Sequence, residues 1–195
     1  MISSGATAAQ VNEALAEIVE RSDAADISTR SGIHDWPPII TLGNDEFRFE
    51  VNSSELTEDF QTRIQHDIAE QVTNILNTYE VNVIEVVGHT DEVPITTDRQ
   101  STMDTAAIAA LSGDASISDL IPVDNAGLGL ARAIAVAREL RSALNMDGVT
   151  VIPMSAAQLV LSGDRLSTGE NAESDSDRRR IEIRVRSSSP QSTTN

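Results

Sequence analysis

Two short segments carry side chains able to hold opposite charges. The first is Val86-Val87-Gly88-His89-Thr90-Asp91-Glu92-Val93-Pro94. It leaves an apolar, β-branched run and turns at Gly88, where the missing Cβ permits a sharp change of direction. Ligands of open α/β sheets collect beyond the carboxyl ends of strands. Asp91 is thereby placed on a loop at the sheet's edge, ready to accept hydrogen bonds from an ammonium group. The second segment runs from Asp124 to Ala133 and contains Asn125, Gly127, Gly129 and Arg132. At about 100° per residue, Arg132 falls nearly opposite the apolar stripe of its helix. Asn125 lies on the same side, and Gly129 between them leaves room. This reading gives a solvent-open groove lined by a guanidinium and an amide. A guanidinium grips a carboxylate through two parallel bonds, and the nearby helix N-terminus favours an anion.

Other chemistries find no support in residue type and spacing. The three histidines, His34, His66 and His89, sit on separate segments without metal-ligand spacing. Cysteine is absent, so disulfides, thiolate metal sites and Cys nucleophiles are excluded. There is no G-x-S-x-G elbow, and Gly127-Leu128-Gly129 lacks the rest of a dinucleotide fingerprint. The sequence therefore calls for no enzyme activity, no metal and no cofactor. His89 is expected to orient its loop through a hydrogen bond.

The elements that must position these residues follow from periodicity. Leu56, Phe60, Ile64, Ile68, Val72 and Leu76 recur every fourth residue, with Thr57 as N-cap and Glu58 and Asp59 in the first turn; this predicts a helix over 57–78. A second helix is predicted over 124–145, with Leu130, Ala133, Ile134, Ala137, Leu140 and Leu144 on one face and Gly148 as its stop. Strands are predicted over 39–51 with a turn at Gly43-Asn44-Asp45, over 81–87, over 149–154 and over 180–186. In the last, Ile181, Ile183 and Val185 alternate with Glu182, Arg184 and Arg186. Residues 95–123 carry a short helix around 106–111 and a turn at Ser112-Gly113-Asp114. The order β-α-β-α-β-β predicts an α/β (α+β) sandwich: a mixed sheet with helices on one face. Residues 8–21 show a narrow apolar stripe of Ala8, Val11, Leu15 and Ile18. Residues 22–38 read as a linker ending in Trp36-Pro37-Pro38, and 187–195 as a polar tail.

Composition sets the outer limits. Hydrophobic residues make up 39% and aromatics only 3%, so the core is built from Val, Ile, Leu and Ala. With 14 basic and 31 acidic residues the net charge is −17, which repels nucleic acid and anionic membrane. Arg178-Arg179-Arg180, flanked by Asp175 and Asp177, is expected to pair locally rather than bind nucleic acid. No window is apolar for long enough to span a bilayer.

Three motifs in order resemble the OmpA-like peptidoglycan-binding domain family, and Pro94 brings the first closer to its MotB-like branch. They are Gly88-His89-Thr90-Asp91, then Asn125 to Ala133 against the family's N-x-x-L-S-x-x-R-A, then Arg179-Arg180-Ile181-Glu182-Ile183 against its N-R-R-V-E-I. The resemblance covers residues 39–186. It implies non-covalent binding of the peptidoglycan stem through meso-diaminopimelate, without cleavage. Asp91 would hold the ammonium and Arg132 the carboxylate, with Thr90 and Asn125 adding hydrogen bonds. Asn52 is a further candidate, and Arg179 or Arg180 would close the site from the last strand. The resemblance also implies a periplasmic or cell-envelope location, a membrane anchor upstream of this chain that the 8–21 helix joins to the domain, and a homodimer. Two departures, Gly129 for Ser and Arg178 for Asn, leave open an alternative: a dimerisation or scaffold module of the same fold that has lost its ligand. The 95–123 insertion is a candidate to cover the pocket.

Overall fold

The computed structural model describes residues 36–43, 49, 53–170 and 173–188. The 8–21 helix, Asn52 and most of the turn after residue 43 lie outside these described residues. From Pro37 onward the chain forms one contact unit. Its elements are β1 (Ile40–Leu42), α1 (Glu58–Arg63), a π-helical turn (Ile64–Ile68), α2 (Ala69–Tyr79), β2 (Val83–His89), α3 (Met103–Ser112), a 3-10 turn (Ile117–Asp119), α4 (Asn125–Leu144), β3 (Thr150–Ala157), a second 3-10 turn (Ser176–Arg178) and β4 (Ile181–Arg186). Among the described residues no helix is long and apolar enough to cross a membrane.

The helical stretch from Glu58 to Tyr79 shows why sequence and geometry agree. Thr57 caps it by accepting from the Phe60 backbone N–H at 3.3 Å. An apolar residue at every fourth position would drift about 40° per step around an α-helix. The π-helical turn Ile64–Ile68 interrupts that drift, because its wider ladder turns less per residue. Phe60, Ile64, Ile68, Val72 and Leu76 consequently all stay buried.

The sheet has the order β1-β4-β2-β3. β2 and β3 are parallel, joined across the α3–α4 segment, as a parallel pair requires. β4 runs antiparallel to both β1 and β2. Ile40, Leu42, Ile84, Val86, Ile181 and Ile183 face the helices and share one core with Phe60, Ile64, Val72, Val136 and Leu140. The alternate residues of β2 and β4, among them Glu85, Glu182 and Arg184, face the other way. The architecture is thus the expected mixed sheet with helices on one face.

Three local differences have physical causes. The insertion folds into α3 and a 3-10 turn whose Met103, Ala110, Ile117 and Leu120 build a second small core against Ala131, Ile134 and Ala135 of α4. α4 is thereby buried without a break from Ala131 to Ala137. It ends at Asn145, which takes the left-handed conformation (φ 40°) before Gly148 is reached.

Candidate functional site

The exit of β2 is held from both neighbouring strands. The His89 backbone N–H donates to the Arg180 carbonyl, and the Thr90 N–H to the Ala157 carbonyl, each at 2.9 Å. This clamp presents Asp91 at the end of the sheet, where the sequence placed it. Its carboxylate is largely covered and well supplied with donors. Oδ1 accepts from the Val93 backbone N–H at 3.3 Å. Oδ2 accepts from the Asp175 N–H at 3.3 Å and from Arg179 Nη1 at 2.6 Å. Arg179 Nη1 also donates to Ser174 Oγ at 2.6 Å.

Arg132 lies within electrostatic range of this pair. Burial, then the neighbouring Arg179, push its guanidinium down to about 10, and Asp91 works in the opposite direction. Arg132 is not on an open, solvated face as its helical phase suggested; it is only 3% exposed. Its Nε donates to the Ser53 carbonyl at 3.0 Å, and its guanidinium carbon sits 5.0 Å from the centre of the Phe49 ring. Phe49 in turn meets Phe60 edge-on at 5.4 Å. The cause is the wrapping of α4 on several sides, by the sheet, the insertion and the segment before α1.

Asn125 stands at the start of α4 and donates from Nδ2 to the Val93 carbonyl at 3.1 Å, tying the Asp91 loop to the helix. Thr90 is buried, and its hydroxyl meets no hydrogen-bond partner among the described residues. Gly129 does not line the site. A Cβ on Gly129 would fall 2.4 Å from Ser155 Oγ and 2.9 Å from the Gly88 carbonyl oxygen, and one on Gly88 would fall 2.0 Å from the Gly129 carbonyl oxygen. Helix and strand therefore touch backbone to backbone here. Gly129 is explained by packing rather than by a lost ligand contact.

The three consecutive arginines each find a different acid. Arg178 Nη1 reaches Glu92 at 2.7 Å, with Nη2 on the Gln158 carbonyl. Arg179 takes Asp91. Arg180 takes Glu182 at 2.7 Å. The run is thus engaged in structural ion pairs, and its partners are acids other than the flanking Asp175 and Asp177. Asp175 instead caps the 3-10 turn through the Asp177 N–H. Of the two arginines considered for closing the site, Arg179 meets Asp91, whereas Arg180 lies in a separate buried cluster on the far face of the sheet. There, His89 Nε2 approaches Glu182 Oε1 at 3.4 Å, and Arg184 pairs with Oε2 at 2.6 Å. His89 first, then Arg184 and Arg180, outweigh burial and hold the Glu182 carboxyl far below the usual carboxylate range. The alternation of β4 carried this signal, since Arg180 shares its face with Glu182 and Arg184.

Sequence reasoning missed Glu92, Ser174 and Asp175. Glu92 also accepts from the Ser167 hydroxyl. Together with Arg165, Ser167, Asp175 and Arg178 it lines a cleft of about 320 Å³ beside the Asp91 cluster. A larger cavity of about 520 Å³ lies between the end of α3 and α4, lined by Leu111, Gly113, Arg138 and Arg141, and shares no residue with the cluster.

No protein-family model matches the sequence, and no curated protein matches it. Solved structures do. The periplasmic domain of MotB matches at 15% identity, over 97% of this chain and 88% of that one, with a TM-score of 0.50. The cell wall anchor of the T6SS from Pseudomonas aeruginosa matches at 22% identity over 88% and 94%, TM-score 0.46. The peptidoglycan-associated lipoprotein from Burkholderia pseudomallei matches at 18% over 75% and 89%, TM-score 0.41. By fold the chain is an α+β sandwich of a mixed four-stranded sheet with helices on one face. Within that class its architecture is shared with the MotB periplasmic domain.

Proposed function

We propose that this domain binds peptidoglycan non-covalently, gripping the far end of meso-diaminopimelate in the stem peptide, and so tethers an envelope assembly to the wall. Asp91 receives the ammonium. Arg132 receives the carboxylate, Thr90, Asn125 and Asn52 complete the surroundings, and Arg179 borders Asp91. The observation that supports this reading is the largely buried Asp91 carboxylate at the end of β2, paired with Arg179 at 2.6 Å, with the buried Arg132 guanidinium near enough for both charges to act on it. Each charge-assisted bond contributes about 1.5–3 kcal/mol, so a single site is weak. Repeated sites on the polymer and two copies per assembly lengthen residence by avidity. The reading places the domain in the periplasm, as in MotB, as a homodimer whose membrane anchor is supplied outside these residues.

The test is retention on purified sacculi. Wild-type protein is expected to co-sediment, and Asp91→Ala to stay in solution while keeping a folded circular-dichroism spectrum. Equal retention of both proteins removes Asp91 from the mechanism.

One observation favours a second reading, a scaffold module without ligand. Asp91 is already satisfied by Arg179 and two backbone N–H groups. A protein that dimerises in light scattering yet ignores sacculi fits this alternative.

A further inference from the structure

We propose that Arg179 is an internal occupant of the ammonium position, so that ligand binding is an exchange of one cation for another on Asp91. The inference rests on the peptidoglycan reading and specifies how that site is regulated. Asp91 Oδ2 holds Arg179 Nη1 at 2.6 Å, whereas its two backbone donors are both at 3.3 Å. The short, charge-assisted contact is therefore the strong one, and it stands where an incoming ammonium must bond.

The two partners differ in freedom. The Asp91 side chain is 9% exposed and that of Arg179 is 28% exposed. Arg179 belongs to the coil between the second 3-10 turn and β4, not to the strand itself. It also has a resting partner, Ser174 Oγ at 2.6 Å. The guanidinium can leave Asp91 toward Ser174 and solvent, while the carboxylate cannot follow.

Exchange keeps one cation on Asp91 throughout. An ammonium enters as a guanidinium withdraws, and Asp91 is never left as a buried, unpaired anion, which would be strongly destabilising. A ligand without an ammonium has nothing to put in place of Arg179 and is refused. Arg179 is thus a specificity-determining residue that selects for the cationic head.

The test is calorimetric titration of wild type, Arg179→Gln and Arg179→Lys with a muropeptide whose stem ends in meso-diaminopimelate. Loss of the internal cation raises affinity: Arg179→Gln is expected to bind about tenfold tighter, the scale of one partly exposed charge-assisted bond. Arg179→Lys stays near wild type. Binding by Arg179→Gln alone also supports the exchange, since wild type is then self-blocked. Equal or weaker binding by Arg179→Gln overturns it and leaves the peptidoglycan reading standing. Absence of binding by every protein overturns both. An arm without mutation follows the Arg179 Nε–H resonance of wild type by NMR. Saturating muropeptide must shift it toward a solvent-exchanging side chain, and an unmoved resonance in the bound protein overturns the exchange.

Discussion

Gly88→Ala probes how the acid and the guanidinium are spaced. A Cβ at this position falls 2.0 Å from the carbonyl oxygen, 2.7 Å from the carbonyl carbon and 3.1 Å from the Cα of Gly129. All three atoms belong to the backbone of a twenty-residue helix packed on the sheet. None can rotate aside, so α4 must lift from β2 by roughly 1 Å or more to restore contact distance. Overpacking costs about 1–3 kcal/mol where side chains adjust, and with only backbone to move the upper end applies. About 3 kcal/mol corresponds to a fall in Tm of roughly 6–12 °C for a domain of this size. Gly129→Ala is milder. Its Cβ meets the Ser155 hydroxyl at 2.4 Å, which can turn away, and the Gly88 carbonyl oxygen at 2.9 Å. Alanine also regains about 1 kcal/mol of helix propensity over glycine. Ser155→Ala in the same chain is expected to recover part of the remaining loss. Urea unfolding followed by circular dichroism reads these effects as midpoint shifts at constant slope. A Gly88→Ala protein within about 0.5 kcal/mol of wild type, or one more stable than Gly129→Ala, refutes the reasoning.

Three further outcomes test other parts of the structure. Glu182 is held below its ordinary pKa by His89, Arg184 and Arg180. Its stabilising contribution is complete above the unfolded carboxylate value of about 4.3 and is lost as pH falls below it toward the folded value. Glu182→Gln should flatten the acid limb of a stability–pH profile measured by urea melts, and an unchanged limb contradicts the pairing. Burial of the charged Arg132 is unfavourable in itself, so Arg132→Met should change stability by no more than about 1 kcal/mol while abolishing retention on sacculi; unfolding of the variant would show a structural role instead. Glu92→Ala leaves the Arg178 guanidinium buried without its acid and is expected to cost about 3–5 kcal/mol in the same melts, with a near-neutral result arguing that the 2.7 Å pair contributes little.

How much was legible depended on whether one element sufficed to decide a position. The stripe from Phe60 to Leu76 and the alternation from Ile181 to Val185 each needed a single partner surface, and periodicity placed them. Arg132 required knowledge of every side of α4. A helical wheel assigned it to water, because the wheel does not show that Phe49 and Ser53 lie on that side. The insertion itself is rich in alanine with weak patterning, and it gains its helix by packing on Ala131, Ile134 and Ala135. Asp91 was found from its motif, but its partner within the arginine run was left between two residues. Strand phase could have assigned Arg180 to the Glu182 face. The choice of Arg179 for Asp91 depended on the 3-10 turn Ser176–Arg178, which local sequence does not announce.

The run Arg178-Arg179-Arg180 behaves like three teeth of a key, each cut for its own ward: Glu92, Asp91 and Glu182. Substitution within it damages one pairing at a time. Insertion or deletion of a single residue misdirects all three, since each side chain then points where its neighbour pointed. Loop length upstream of Ser174 is therefore freer to vary in descendants of this sequence than the spacing from Ser174 to Glu182.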